Sequence, residues 1–228
     1  MVADLRIKCQ FGYEKMLSRG KRFVCLCNEE DDEYCFEIGA QELKDRMSIY
    51  SQMLPNQNEV VSSAQLFFEK ALDYNRLLLH AVAVAVDGDA YLFFAPPSGG
   101  KTTMANYWKE LLGERGMILA DDSPVIGAEQ QETYLWNSCW SKNTDEVLPQ
   151  RYRIKGIGVI CKNQVGGATL IPFEHAMKEI IAGYPKGIFN KNKVETILKS
   201  AISNIRCWKC YCDGTEESAK KIMETMVG

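Results

Sequence analysis

Two apolar runs, separated by a tight turn and followed at once by a glycine-rich loop, constrain the fold of this chain more than any other feature. Residues 77–86 read LLLHAVAVAV and residues 91–95 read YLFFA, with Asp87-Gly88 between them. Asp-Gly between two β-prone runs is a strong hairpin signal. The sequence therefore predicts two adjacent antiparallel strands that lead directly into PPSGGKTT, residues 96–103.

The segment after this loop predicts a helix and then a short buried strand. Four apolar side chains of residues 102–116 fall on one helical face, namely Met104, Trp108, Leu111 and Leu112. The run MILA, residues 117–120, is typical of a buried strand and ends in Asp121 and Asp122. The order strand, loop, helix, strand indicates an α/β fold.

The rest of the chain gives a coarser prediction. Short β-prone runs in the first forty residues indicate a β-rich N-terminal edge, and residues 62–81 predict a helix capped by Ser62. Strands are predicted within 133–171 and at 206–212, with helices after each. Because no shift in composition marks a boundary, we expect one domain over 1–228. Within it, 77–228 would form a nucleotide-binding core and 1–70 an N-terminal decoration.

The charge and hydropathy of the chain argue against two classes of partner. The net charge is -3 and 46% of the residues are hydrophobic. This balance predicts a globular protein without a nucleic-acid-binding surface. The most apolar run spans about ten residues, whereas a membrane helix needs about 20. The first ten residues lack the apolar stretch of a signal peptide, so we expect a cytoplasmic protein without a membrane partner.

Nine cysteines leave two interpretations open. Thiolates for a zinc ion could come from two segments, CLC at residues 25–27 and CWKCYC at residues 207–212. Only one CxxC pair is present, whereas finger-type zinc sites use two. Buried free cysteines behave as small hydrophobic side chains, and we favour that role here.

The loop carries the residue types that bind phosphate. Backbone N–H groups and the N-terminus of the next helix attract an anion, a lysine reaches the outer phosphates, and the next hydroxyl binds Mg²⁺. A bare Gly-Lys-Thr also occurs by chance, but here a predicted strand precedes it and a predicted helix follows. The candidate nucleotide-binding residues are Ser98, Gly99, Gly100, Lys101, Thr102 and Thr103.

The first half of this loop departs from the usual phosphate-binding pattern. Ala95 stands where the pattern has glycine, and Pro96 and Pro97 each remove an N–H donor. The later amides remain available and proline stiffens the loop, so we expect an altered but working site.

Asp121 and Asp122 follow a predicted strand about 18 residues after the loop, at the end where ligands gather in α/β sheets. One carboxylate could hold Mg²⁺ with Thr102, and the other could accept a proton from an attacking hydroxyl. Taken alone, DDSP could equally be a turn. The loop upstream favours the catalytic interpretation.

The stretch LLHAVAVAVDGDAYLFFAPPSGGKTTMANYW resembles the histidine-containing strand, hairpin and phosphate loop of the HPr kinase/phosphorylase family. That fold is shared with the nucleotide domain of phosphoenolpyruvate carboxykinase. ILADD resembles the family's acidic strand and YRIKGIGVI its downstream glycine signature. NSCWSKN resembles a Trp-Ser segment of small relatives linked to peptide or amino-acid modification. The resemblance covers roughly residues 77–171.

The resemblance implies a mixed-sheet P-loop core and an ATP-dependent phosphotransferase that uses Mg²⁺. Lys101 and Thr102 match its phosphate and metal residues, and Asp121 and Asp122 match its carboxylate pair. His80 matches a histidine close to the phosphates, although on sequence alone it could be a core histidine. The acceptor would be a hydroxyl of a protein, peptide or small molecule, and relatives often form homo-oligomers.

Two segments depart from the family or leave their role open. Arg153 and Ile154 stand where the family usually has a metal-binding glutamate. The alternating cations Arg151, Arg153 and Lys155 could face a phosphate or could form a solvated strand face. Trp140 and Ser141 could line an acceptor pocket, or the tryptophans could pack in the core.

Three functions follow from these observations. The first is a kinase that transfers the γ-phosphoryl group of ATP, with Lys101, His80 and the two aspartates as catalytic residues. The second is a nucleotide-binding sensor or accessory module of a peptide-modification system, favoured by the altered loop and the missing glutamate. The third, least favoured, is a structural protein that binds metal through its cysteines.

Overall fold

A computed structural model of the chain describes residues 1–24, 34–142, 150–162, 164, 166–184 and 190–228. The strands within these ranges are Arg6–Cys9 (β1), Cys35–Ile38 (β2), Leu77–Leu78 (β3), Ala81–Val86 (β4), Asp89–Phe94 (β5), Gly116–Asp122 (β6), Val125–Glu129 (β7), Glu132–Trp136 (β8), Arg151–Lys162 (β9), Ala168–Ile171 (β10) and Arg206–Cys212 (β11). The α-helices are Glu14–Gly20 (α1), Ala40–Ile49 (α2), Pro55–Ala71 (α3), Lys101–Leu112 (α4), Phe173–Ala182 (α5), Lys191–Ile202 (α6) and Glu216–Val227 (α7).

One curled mixed sheet organises the fold. Seven of its strands follow the order β3-β7-β8-β9-β5-β4-β6. The sheet branches at β9, because the start of this long strand pairs with β8 while its C-terminal part pairs with β11, which in turn pairs with β10. The β5–β9 and β9–β11 pairs are parallel, and the other pairs of this sheet are antiparallel. The predicted mixed α/β class is confirmed.

The predicted hairpin is confirmed. Strands β4 and β5 are antiparallel, with Val86 opposite Asp89. Asp87 and Gly88 both have positive φ, 51° and 89°, as a two-residue hairpin turn of this hand requires. All six residues of β4 are buried, which explains why this strand reads as a continuous apolar run. Its partner β5 ends at Phe94, so residues 95–100 form the loop before α4.

Helices cover both faces of the sheet. Helices α5 and α6 pack on one face, and α4 and α7 pack on the other. The predicted apolar face of α4 is buried: Trp108 is fully enclosed, and its ring meets the ring of Phe93 edge-on with centroids 4.8 Å apart. This packing fixes the N-terminus of α4 beside the ends of β5 and β6.

The N-terminal region packs on the edge of this core through a third apolar cluster. The indole of Trp140 stacks on Phe67 at 4.5 Å and donates to the hydroxyl of Ser63 at 2.9 Å. The buried guanidinium of Arg76 lies 4.6 Å from the centre of the Trp136 ring and donates to the carbonyl of Ala3 at 3.2 Å. The described part of residues 1–71 is therefore joined to the sheet region by buried contacts.

The prediction of a β-rich N-terminal edge is wrong for the described residues, because three α-helices occupy more of this region than its two short strands. The helix expected to start at Ser62 starts at Pro55, because proline suits the first helical turn, and Ser62 is buried inside the helix. Helices α1 and α2 occupy segments for which no helix was predicted. Phe23 lies in a short 3₁₀ turn, whereas Cys25 and Cys27 lie outside the described residues.

None of the helices in the described ranges combines the length and the apolar character that crossing a membrane requires.

Candidate functional site

The loop before α4 is shaped by two glycines with different constraints. A Cβ on Gly99 would lie 2.6 Å from the Cβ of Ala95 and 2.8 Å from the carbonyl oxygen of Pro96. Gly100 has a φ of 94° and caps the helix in the left-handed region. The Gly99 N–H donates to the Pro96 carbonyl at 2.9 Å, so the two-proline segment closes into a turn. Glycine is therefore required at both positions, at Gly99 because there is no room for a Cβ and at Gly100 because of its positive φ.

Lys101 is the first residue of α4, and its ammonium is held inside the loop. Its Nζ donates to the carbonyl of Ala95 at 2.8 Å and lies 3.1 Å from Nε2 of His80. Burial lowers the pKa of this lysine, while the carboxylate of Asp122 opposes the shift. The charge therefore lies beside the backbone N–H groups of the first helical turn, which have no intrahelical partners.

The two aspartates at the end of β6 have different partners. Asp121 Oδ1 accepts a hydrogen bond from the hydroxyl of Thr102 at 3.2 Å. Asp122 pairs through Oδ1 with Nδ1 of His80 and through Oδ2 with Nζ of Lys142, the latter at 3.2 Å. The hydrogen bond from His80 is the main cause that lowers the pKa of Asp122 to about 2. Asp122 is thus a charged, oriented carboxylate at neutral pH.

His80 links the lysine to the acidic pair. An ammonium has only donors, so Nε2 of His80 accepts from Lys101, and Nδ1 carries the proton that points to Asp122. The His80 side chain is 46% exposed. The alternative of a core histidine is therefore wrong, and the imidazole connects the loop with the end of β6.

Two lysines of the site were not found from the sequence. Lys142 follows the segment that returns from β8 and pairs with Asp122. Lys162 ends β9, and its Nζ donates to the carbonyl of Ser98 at 3.2 Å. Because β9 runs parallel to β5, its last residue lies at the same edge of the sheet as the loop. If the parallel pairing of β5 with β9 had been inferred from the sequence, it would have placed Lys162 at the loop.

Ser141 holds the backbone of the acidic pair in place. Its buried hydroxyl accepts from the backbone N–H of Asp121 at 3.0 Å and lies 3.1 Å from the carbonyl of the same residue. The N–H of Lys142 also donates to that carbonyl at 2.9 Å. The short segment around Ser141 therefore supplies hydrogen-bond partners for the backbone of Asp121, as a neighbouring strand would, and so holds the end of β6 in place.

All of the predicted site residues line one cavity of about 400 Å³. They are His80, Ser98, Gly99, Gly100, Lys101, Thr102, Thr103, Asp121 and Asp122. The two additional lysines, Lys142 and Lys162, line the same cavity. The cavity thus combines cations, helix N–H groups, a hydroxyl and carboxylates, a set of groups that can bind a polyphosphate with a divalent ion.

Other candidate residues lie elsewhere. Arg153 pairs with Asp89 and Glu132 at the start of β5, the end of that strand opposite the loop. The cationic strip that includes it is therefore a solvated strand face, not a phosphate contact. Trp140 is buried in the N-terminal cluster, so it packs in the core and does not line an acceptor pocket.

The cysteines behave mainly as core residues. Among the residues that the structure describes, no group of three or more Cys, His, Asp or Glu side chains could hold a metal ion. Cys207 and Cys210 face opposite apolar layers of the sheet. Burial raises the pKa of the Cys207 thiol to about 12, in keeping with a thiol that packs as a small apolar side chain. Cys25 and Cys27 lie outside the described ranges.

The chain is distantly similar to solved structures. No protein-family model and no curated protein sequence matches it. A solved structure described as the Hpr(Ser) kinase/phosphatase from Coxiella burnetii is similar over 66% of this chain and 99% of its own chain, at 9% sequence identity and a TM-score of 0.37.

Proposed function

We propose that this protein is an ATP- and Mg²⁺-dependent phosphotransferase with a P-loop core, which moves the γ-phosphoryl group of ATP to a hydroxyl. One observation carries the proposal: Lys101, Thr102, Asp121, Asp122 and His80 converge within hydrogen-bonding distance at the N-terminus of α4. Phosphoryl transfer depends mainly on such positioned charges. Neither a structural turn nor a core cluster needs a buried lysine beside two carboxylates.

The phosphate side of the cavity is positively charged. The first N–H groups of α4 point out of the helix, and the helix dipole favours an anion at this end. Lys101, Lys142 and Lys162 surround the same space. A triphosphate bound there would replace the Ala95 carbonyl as a partner of the Lys101 ammonium, and its negative charge would offset the lysine cluster.

The Thr102–Asp121 pair fits a magnesium ion. The hydroxyl and the carboxylate oxygen are 3.2 Å apart. Adjacent ligands of an octahedral Mg²⁺ site with bonds near 2.1 Å are separated by about 3 Å. These two side chains would hold the ion with phosphate oxygens and waters as its other ligands. When bound, Mg²⁺ would neutralise charge on the β- and γ-phosphates.

Asp122 is the proposed acceptor of the proton in the transfer step. The acceptor oxygen forms a bond to the γ-phosphorus, the bond from that phosphorus to the β,γ-bridging oxygen breaks, and ADP leaves with the electron pair. The hydroxyl proton passes to the Asp122 carboxylate. His80 is a positioning residue that orients Asp122 through Nδ1. Because the pKa of Asp122 is low, its role is to orient the hydroxyl more than to act as a strong base.

Binding and transfer can be tested separately. Calorimetry with Mg²⁺-ATP should give heat for the wild type and lose it in Lys101→Ala, while Glu110→Gln on the exposed side of α4 should bind as the wild type does. Asp122→Asn should keep ATP binding but reduce label transfer from γ-labelled ATP to acceptors in a lysate by about 100-fold or more. Equal transfer by wild type and Asp122→Asn would remove the assigned role.

A nucleotide-binding sensor is the second candidate. It is supported by the closed state of the loop, in which Lys101 already has two partners and the Gly99 N–H is used internally. Arg153, which stands where the resembled family has a metal-binding glutamate, pairs with Asp89 at the far end of β5 and so supplies no contact at the site. A protein that binds Mg²⁺-ATP but neither transfers nor hydrolyses its γ-phosphoryl group would support this candidate over the kinase.

A further inference from the structure

A second cavity of about 950 Å³ adjoins the first. The two share five wall residues, namely His80, Pro97, Gly99, Ile160 and Lys162. The second cavity opens on the other side of the loop, between the C-terminal part of β9 and helix α5. Its volume is in the range of cavities that enclose small-molecule ligands.

The position of His80 indicates whether the second cavity lies next to the phosphates or next to the base of a bound nucleotide. His80 contacts both Lys101 and Asp122, so it stands at the reacting end of the proposed site. Cys212 and Gly214 also line the first cavity, and Gly214 lies on the α4 side of the sheet, where its carbonyl accepts from the hydroxyl of Tyr107 at 3.2 Å. A nucleotide with its γ-phosphate near Asp122 therefore has space for its base toward Gly214. The second cavity then adjoins the phosphoryl group that is transferred.

The walls of the second cavity are apolar with a few charged groups at defined places. Apolar side chains from three sides form most of the surface, among them Phe94, Val159, Ile171 and Ile180. Lys209 of β11 and Lys162 of β9 supply two cations, and α5 supplies Glu179 and His175 one turn apart. Lys209 has a loose contact with the Tyr211 ring, 5.8 Å from its centroid, and so can reach a ligand.

We propose that this second cavity binds the phosphoryl acceptor, a small hydroxyl-bearing carboxylate with an apolar body, and that Lys209 selects its carboxylate. The inference rests on the proposed kinase function and adds the substrate class. The hydroxyl of such a molecule would point past His80 to Asp122, its body would contact the apolar walls, and its carboxylate would meet Lys209. Its hydroxyl oxygen would accept the γ-phosphoryl group and its proton would pass to Asp122, so no further reactant is needed.

Three probes with one aromatic hydroxyl body test the charge preference: 4-hydroxyphenylacetate, neutral tyrosol and cationic tyramine. We expect calorimetry or ligand-observed NMR to rank their affinities in that order. Lys209→Met should weaken 4-hydroxyphenylacetate by about tenfold, the value of one charge-assisted hydrogen bond, and leave tyrosol unchanged. The matched control is Lys178→Met, on α5 but outside the cavity wall. Equal affinity for the three probes, or equal weakening of all three by Lys209→Met, overturns the proposal.

Cys161 reports the location of the bound probe. This thiol lines the second cavity and is partly exposed, whereas Cys35 lies in β2 and serves as an internal control. We expect 4-hydroxyphenylacetate to slow alkylation of Cys161 but not of Cys35, measured by mass spectrometry, and Mg²⁺-ATP to leave both rates within about twofold. Protection of Cys161 by ATP but not by inorganic triphosphate would mean that the base fills this cavity, which contradicts the assignment.

The two proposals fail in different ways. If Mg²⁺-ATP gives no binding heat, the kinase proposal is lost whatever the probes do. If Mg²⁺-ATP binds through Lys101 but the anionic probe neither binds preferentially nor protects Cys161, only the acceptor assignment is wrong.

Discussion

At the scale of single residues, Asp122 combines an unfavourable backbone with a strongly held side chain. Its φ is 99°, in a region that favours glycine, and it lies near the register shift between Ala83 and Val84 in the β4–β6 pair. Residues in such conformations cluster at functional sites, where neighbours hold them in place. Here His80 and Lys142 hold both carboxylate oxygens. The strain is consistent with a residue selected for its position.

The low pKa of Asp122 predicts an acid-labile contribution to stability. The folded pKa is about 2, below the usual value of about 3.9. The contribution is therefore present above about pH 4 and is lost as the pH falls toward 2. It amounts to about 2 kcal/mol. In urea unfolding, the wild type should lose about 1–2 kcal/mol more than Asp122→Asn between pH 5 and pH 2.5.

A control for this pH effect is Asp45→Asn on exposed α2, which should lose stability with acid in parallel with the wild type. Parallel pH curves for the wild type and Asp122→Asn would contradict the prediction.

Alanine substitutions at Gly99 and Gly88 test the loop, with Gly99 as the loop position and Gly88 as its control. Gly99→Ala brings a Cβ to within 2.6 Å of the Ala95 Cβ, so the loop must shift, and we expect Mg²⁺-ATP affinity to fall by about tenfold or more. Gly88 lies at the hairpin tip with a φ of 89° and open space around it, so Gly88→Ala should cost about 1–2 kcal/mol of stability with ATP affinity unchanged. Calorimetry and thermal unfolding on both variants check this, and equal ATP affinities would contradict it.

At the scale of elements, the central part of the fold was predictable from local signals. The β4–β5 hairpin, α4, β6, α5, α6, β11 and α7 all follow runs of clear period and turn chemistry. Helix α2 was missed because its residues are mostly polar and only Leu43 is buried. Lys162 was missed for a different reason. Its place at the site depends on the parallel pairing of β9 with β5, which no local pattern specifies.

The segment around Ser141 is the element that positions the carboxylates. Its hydroxyl is buried between the N–H and the carbonyl of Asp121. Ser141→Ala leaves the buried N–H of Asp121 without this acceptor, whereas the carbonyl of Asp121 keeps the N–H of Lys142 as its donor. We therefore expect a loss of about 1–3 kcal/mol in the free energy of unfolding and weaker Mg²⁺-ATP binding. Ser48→Ala is the control: its exposed hydroxyl donates to the backbone carbonyl of Asp45, and its effect should be under about 0.5 kcal/mol. Indistinguishable denaturation curves for the two variants would show that Ser141 does not support the site.

At the scale of the whole molecule, three apolar clusters share one sheet. Two lie on the faces of the sheet, and the third joins the N-terminal region to its edge through Val125, Trp136 and Trp140. The sequence predicted the N-terminal region as a decoration, because its short runs do not reveal their packing partners. The contacts of Arg76 and Trp140 indicate that it completes the core.

This arrangement predicts that residues 77–228 do not form a stable domain alone. Without 1–76, the side chains of Trp136 and Trp140 lose their apolar cover. We expect the 77–228 fragment to keep far-UV circular dichroism but to lose the near-UV signal and cooperative unfolding, and to bind ANS. The full chain is the reference in each measurement. Cooperative unfolding of the fragment would instead establish 77–228 as an autonomous domain.

The central position of β9 has a consequence for how the protein is made. Sixty-four residues separate Asp89 from its partner Arg153, and β11 lies later still in the chain. During translation the hairpin and loop leave the ribosome well before the strand that neighbours them, and non-local parallel pairing is slow. A nascent chain that ends before Lys162 has the loop but lacks one wall of the cavity. We therefore expect ligand binding to arise only late in synthesis, after β9 has inserted between β5 and β11.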